Sequence, residues 1–202
     1  MYEQYGLSDP FFLMLYGGAA MLALTECCYM LVALRSTLAP HVVPPRGLRY
    51  WTAAFFAAVA ASHLWWAAFS IVWLKDDRLT RDILAIMLDY ITLVPLVMAL
   101  LLRMLQDRKR KLWPFLVTHI PIIAIAIYGL IARNSEAKDY MFFYQVVIIV
   151  IFIIYYVRAL KQYGRWLREN YADLEHKEVW QSLLLLAGVL AFTYAYTSNL
   201  GE

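Results

Sequence analysis

Apolar runs of about twenty residues follow one another along this chain, separated by short polar connectors. That pattern leaves it few ways to fold. An α-helix rises about 1.5 Å per residue, so a run of this length matches the roughly 30 Å hydrocarbon core of a bilayer. Hydrophobic residues make up 63% of the 202 positions and charged residues 16%, at a mean hydropathy of +0.58. Soluble domains carry about 45–50% apolar and about 25% charged residues. The expected fold class is therefore all-α: a single-domain polytopic membrane helix bundle with no separate soluble module.

Six transmembrane helices are expected, at 11–34, 50–74, 83–105, 114–132, 140–160 and 179–197. The connectors support these limits. Pro40, Pro44, Pro45 and Gly47 punctuate the first, and Pro114 suits the first turn of the fourth helix. Trp51, Trp73, Trp113 and Trp180 stand near run ends, where indoles anchor at the interface. Cys27 and Cys28 are adjacent within an apolar run, which offers neither a disulfide framework nor metal spacing.

The net charge of +3 reflects topology rather than nucleic-acid binding. Thirteen of the eighteen Lys and Arg residues lie in the connectors after helices one, three and five. The positive-inside rule places those connectors in the cytoplasm and the N-terminus outside. Six helices that start outside also end outside. A protein with cytoplasmic output needs a seventh, so the parent protein is expected to be longer than this chain.

Between the fifth and sixth helices, residues 161–178 form a cytoplasmic amphipathic segment. Leu160, Tyr163, Leu167, Tyr171 and Leu174 recur at helical spacing and make one apolar face. This face is the candidate signal-transmitting segment.

Ionisable side chains within membrane spans are costly and are functional candidates by default. Four occur: Glu26, His63, Asp89 and His119. By helical rise, His63 and Asp89 fall at a similar depth, and their meeting in the bundle interior is expected. Glu26 lies one to two turns lower. His63 and His119 differ by about two turns, which does not suit one shared haem, and no cofactor or metal is expected. Ser62, His63, Trp65, Trp66 and Phe69, with Asp89, Tyr90 and Thr92, are expected to line an outward-facing cavity of the kind that takes small ligands. The candidate sensing core is Glu26, His63, Trp66, Asp89 and Tyr90. Dense small residues, Gly17 to Ala20 and Ala53 to Ala61, are expected to permit close helix approach. No nucleophile–base set, HExxH, GxSxG or phosphate loop occurs, so the chain is not expected to be an enzyme.

YGRWLRENYADLEHKEVWQSLL (163–184), RYWTAAFFAAVAASHLWW (49–66) and LWP (112–114) resemble the N-terminal multi-pass input domains of Bacteroidota signalling proteins. The resemblance implies a membrane region preceding a cytoplasmic histidine kinase or an AraC-type helix-turn-helix module. It implies a sensor domain of the bacterial inner membrane. The expected partners are the lipid bilayer, a small ligand and a second copy of the chain, without direct nucleic-acid contact. The alternative is a small proton-coupled transporter using Glu26 and Asp89. The unbroken fifth helix, with only Gln145 clearly polar, counts against it.

Overall fold

A computed structural model describes residues 10–32, 46–105 and 108–170. Helix accounts for 89% of them, and no strand occurs among the described residues. The elements in chain order are α1 (Pro10–Val32), α2 (Arg46–Ala68) closed by a π-turn (Phe69–Trp73), α3 (Arg78–Met104), α4 (Trp113–Val117), α5 (Ile120–Ala132) and α6 (Ala137–Asn170). Among the described residues, five segments are long and apolar enough to cross a membrane: Met14–Val32, Arg46–Trp73, Arg78–Met104, Trp113–Ala132 and Ala137–Asn170. The expected sixth helix at 179–197 lies outside the described residues, as do Tyr171 and Leu174.

Three boundaries differ from the sequence expectation for identifiable reasons. The fourth expected helix, 114–132, is two pieces broken at Thr118 and His119. Pro121 brings no N–H to the preceding turn, and its ring crowds that turn. Helix α2 starts at Arg46, ahead of the expected Tyr50. Arg49 supports that start by donating to the Met30 and Leu31 carbonyls at 3.0–3.1 Å, which satisfies acceptors left open at the end of α1. Helix α3 starts at Arg78, ahead of the expected Ile83, because Asp77 caps it there. Helix α6 runs 34 residues to Asn170, continuing past Leu160 into the segment read from its spacing as an amphipathic helix.

Helix α3 is the hub. It packs against α2 on one side and against α4, α5 and α6 on the other. The core lies between α3, α5 and α6, built from Ile83, Met98, Leu101, Leu102, Ile122, Met141, Ile148, Phe152 and Tyr156 among others. The Phe115 ring meets Phe152 edge-on at 5.3 Å, and Phe152 stacks on Tyr156 at 5.8 Å. Helix α1 packs on α2, and among its described side chains the small residues Ala20 and Ala23 are the buried ones. Small residues do bring helices close, but not at the glycines expected to do so. No described atom lies within 4 Å of a Cβ added at Gly17 or Gly18, whereas one added at Gly129 meets Ala137 Cβ and Ile83 Cδ1.

The start of α3, the end of α5 and the start of α6 share one end of the bundle. Asp77 caps α3 by accepting from Thr80 N at 3.2 Å and Thr80 Oγ1 at 2.7 Å. Helix α5 ends in a left-handed residue, Arg133 (φ 52°), whose N–H and that of Asn134 both bond Gly129 O.

Candidate functional site

Asp89 sits in the middle of α3, about 16 Å along the axis from Arg78. It is 5% exposed. Both carboxylate oxygens are engaged from α2: Ser62 Oγ donates to Oδ1 at 2.6 Å and Trp66 Nε1 donates to Oδ2 at 2.8 Å. Ser62 and Trp66 are four residues apart, so they share one face of α2, and both are buried. A buried carboxylate is costly unless its lone pairs are satisfied, and these two donors satisfy one on each oxygen. The remaining buried positions of α2 are Ala53 and Ala60. The Asp89 bridge is thus the main directional contact between α2 and α3.

The expected meeting of His63 with Asp89 is not made. Adjacent helical residues point about 100° apart, and Ser62, not His63, turns toward α3. His63 Nδ1 donates to Val59 O at 2.8 Å, and its ring lies 5.6 Å from Tyr16 of α1. Of the five sensing-core candidates, Trp66 and Asp89 come together. Tyr90 turns the other way, into the core between α3, α5 and α6. Glu26 is half-buried on α1. The pairings of Tyr16 with His63 and of Met30 with Arg49 set it opposite Ala53, about 14 Å along α2 from Ser62. Among the described residues of the transmitting face, Leu160 and Leu167 are buried and Tyr163 stacks on Trp166 at 5.9 Å. Arg108 Nη2 ties this end of α6 to the connector after α3 through Gln162 Oε1 at 2.6 Å.

Two further polar features were not assembled from the sequence. One is an ion-pair cluster joining the start of α3 to the α5–α6 turn. Arg133 Nη1 donates to Asp77 Oδ2 at 2.7 Å and to Thr80 Oγ1 at 3.1 Å, and Lys138 Nζ reaches Asp82 Oδ2 at 3.4 Å. The other is a set of buried polar atoms without a hydrogen-bond partner, among them His119 Nε2, both amide atoms of Gln145 and Tyr156 Oη. Gln145 stands on the spacing Met141, Gln145, Ile148, Phe152, Tyr156, the buried stripe of α6. A polar residue on such a stripe is the signal that sequence offered. Among the described residues no group of three or more His, Cys, Asp or Glu is arranged to hold a metal ion.

The Arg133 guanidinium beside Asp77, helped by Thr80, holds its carboxyl well below the usual carboxylate range. A depressed folded-state value stabilises above the ordinary carboxylate pKa of about 4 and is lost as pH falls below it. The pair is largely exposed, so the effect is screened and modest. Acidification from about pH 5 is therefore expected to raise amide exchange at Asn134 to Ala137, and the Asp77→Asn protein to lack that acid step. An identical step in both proteins would assign it to another group.

Comparison with protein-family models, with curated proteins and with solved structures gave no match. What the described residues define is an all-helical bundle with five membrane-compatible helices and a buried carboxylate bridging two of them.

Proposed function

We propose that this chain is a membrane-embedded sensor, the signal-input domain of a bacterial regulatory protein of the inner membrane, with its N-terminus outside. The observation that carries this reading is the Asp89 bridge. Helices α1 and α2 meet the α3–α5–α6 core through α3, along a face of small residues fastened by Ser62 and Trp66. Such a fastener has two arrangements, closed and open, and a cue with different affinity for each shifts the balance. Helix α6 runs without a break from the Asp82–Lys138 pair to Asn170, which suits it to carry a shift toward a cytoplasmic output.

Membrane hydrogen bonds measure about 0.6 kcal/mol on average and up to about 1.7, so removing one changes a two-state ratio roughly threefold to eighteenfold. The test is the signalling output of the natural full-length protein in cells. Trp66→Phe and Asp89→Asn are expected to shift basal output within that range at unchanged membrane levels. Output and levels both unchanged would sink the reading.

One observation favours transport instead: the break at Thr118 and His119 within the fourth span, since interrupted helices mark transporter sites. Proton flux into reconstituted vesicles, dependent on Asp89, would decide for it.

A further inference from the structure

His119 and Gln145 are among the most buried polar side chains of the bundle, at 3% and 2% exposure. His119 Nδ1 lies 2.7 Å from Phe115 O, and a carbonyl only accepts, so Nδ1 carries the proton. In the neutral ring that leaves Nε2 an acceptor, and Nε2 has no hydrogen-bond partner. Gln145 lacks a partner on both Oε1 and Nε2. Buried polar atoms of folded proteins are nearly always paired, with protein or with water.

These groups share one level of the bundle. Tyr144 Oη donates to Thr118 O at 3.0 Å, which brings this turn of α6 to the α4–α5 break, and Gln145 and His119 each follow one of the bonded residues. Helix α3 joins them there. Ile83 of α3 and Ala137 of α6 both pack at Gly129, and α3 and α6 run parallel from that point. Eight residues onward are Ile91 on α3 and Gln145 on α6. Pro95, buried, brings no N–H to the carbonyl of Ile91. Ile91 packs against the α3–α5–α6 core, two positions and thus about 200° around from Asp89. At this level the three helices offer three acceptors (His119 Nε2, Gln145 Oε1, Ile91 O) and one amide donor group. The missing partner must donate more hydrogen bonds than it accepts. It must also be small, because Ile122 and Met141, about one turn from His119 and Gln145 on their own helices, are fully buried.

We propose that His119 Nε2, the Gln145 amide and the Ile91 carbonyl form a buried hydration site between α3, α5 and α6, with water as its ligand. Water supplies two donors in the smallest volume, and buried waters typically make about three hydrogen bonds to otherwise unpaired groups. The site pins the α4–α5 break to α6 and to the proline turn of α3. It lies on the face of α3 opposite the Asp89 bridge and rests on neither functional reading.

Hydroxyl-radical footprinting by X-ray radiolysis, with the protein in lipid nanodiscs, tests it. Radicals born from a trapped water oxidise the side chains beside it. Met141 is 0% exposed and one helical turn from Gln145. It is expected to be oxidised in the native protein, and severalfold more slowly in Gln145→Leu and in His119→Phe. Met21, 71% exposed on the apolar surface of α1, serves as the lipid-facing control and is expected to react equally in all three. A Met141 that stays unmodified in the native protein overturns the proposal. So does equal oxidation in native protein and folded variants. Should both variants fail to fold, the native rate of Met141 alone decides.

Discussion

Asp89→Ala is expected to destabilise the folded bundle by about 2 kcal/mol. The substitution leaves the Ser62 hydroxyl and the Trp66 indole N–H buried between α2 and α3 without the carboxylate that accepts from both. In soluble proteins each such orphan costs about 1–3 kcal/mol. Within bilayers the measured worth of a hydrogen bond averages only about 0.6 kcal/mol, because the separated helices also find partners. Two bonds to one carboxylate bring the sum toward the upper membrane values rather than the soluble ones. Unfolding by steric trapping in bicelles measures it. A double-mutant cycle sharpens the test, since Ser62→Ala is expected to cost much less in the Asp89→Ala background than in the native one. A loss under about 0.5 kcal/mol, close to the membrane average for one bond, means that the bridge does not hold the two helices together.

The second large effect is expected at Gly129. A Cβ there collides with Ala137 Cβ and stands 3.2 Å from Ile83 Cδ1. Ala137 Cβ is fixed to backbone, so relief requires α5 and α6 to part at their turn. Gly→Ala gains about 1 kcal/mol of helix propensity, against about 1–3 kcal/mol for overpacking. Gly129→Ala is thus expected to be destabilising by about 1 kcal/mol. Gly129→Val adds two further methyl groups to a closed contact with less propensity gain, and is expected to cost about 3 kcal/mol. The same steric trapping assay reads both. A Gly129→Val protein as stable as the native one would show that the α5–α6 turn opens freely.

The first five helices were legible because a bilayer-length apolar run has essentially one solution, and the run ends carried their own loop residues. The interruptions were less so. The π-turn at Phe69–Trp73 has no proline or glycine to announce it. The break that Pro121 causes falls two residues before it, where the freed carbonyls lie. At the site, helical rise yields depth but not azimuth. His63 and Asp89 were placed at one level, and depth could not tell that Ser62, one residue back, turns toward α3 while His63 turns toward α1. Trp66 and Asp89 stood among the candidates. Their bond depends on the angle at which two helices face each other, which neither run contains. Glu26 shows the converse: a charge in a span draws notice in the sequence wherever it lies, and this one is far from Asp89 along the axis. Gln145 was visible as the polar exception of its helix, but its meaning needed the second orphan, His119, from another helix.

The length of α6 has a mechanical consequence. At 34 residues it is about 51 Å long, some 20 Å more than a hydrocarbon core. One end is held by the Lys138–Asp82 pair and by Ala137 seated on Gly129. Phe152, Tyr156 and Leu160 keep it seated in the core further along, and Arg108 bonds Gln162 near the other end. A rod held at both ends cannot pivot about either. It moves with α3 as one body, so a displacement of α3 at Asp89 is carried to the far end of α6 undiminished and without amplification.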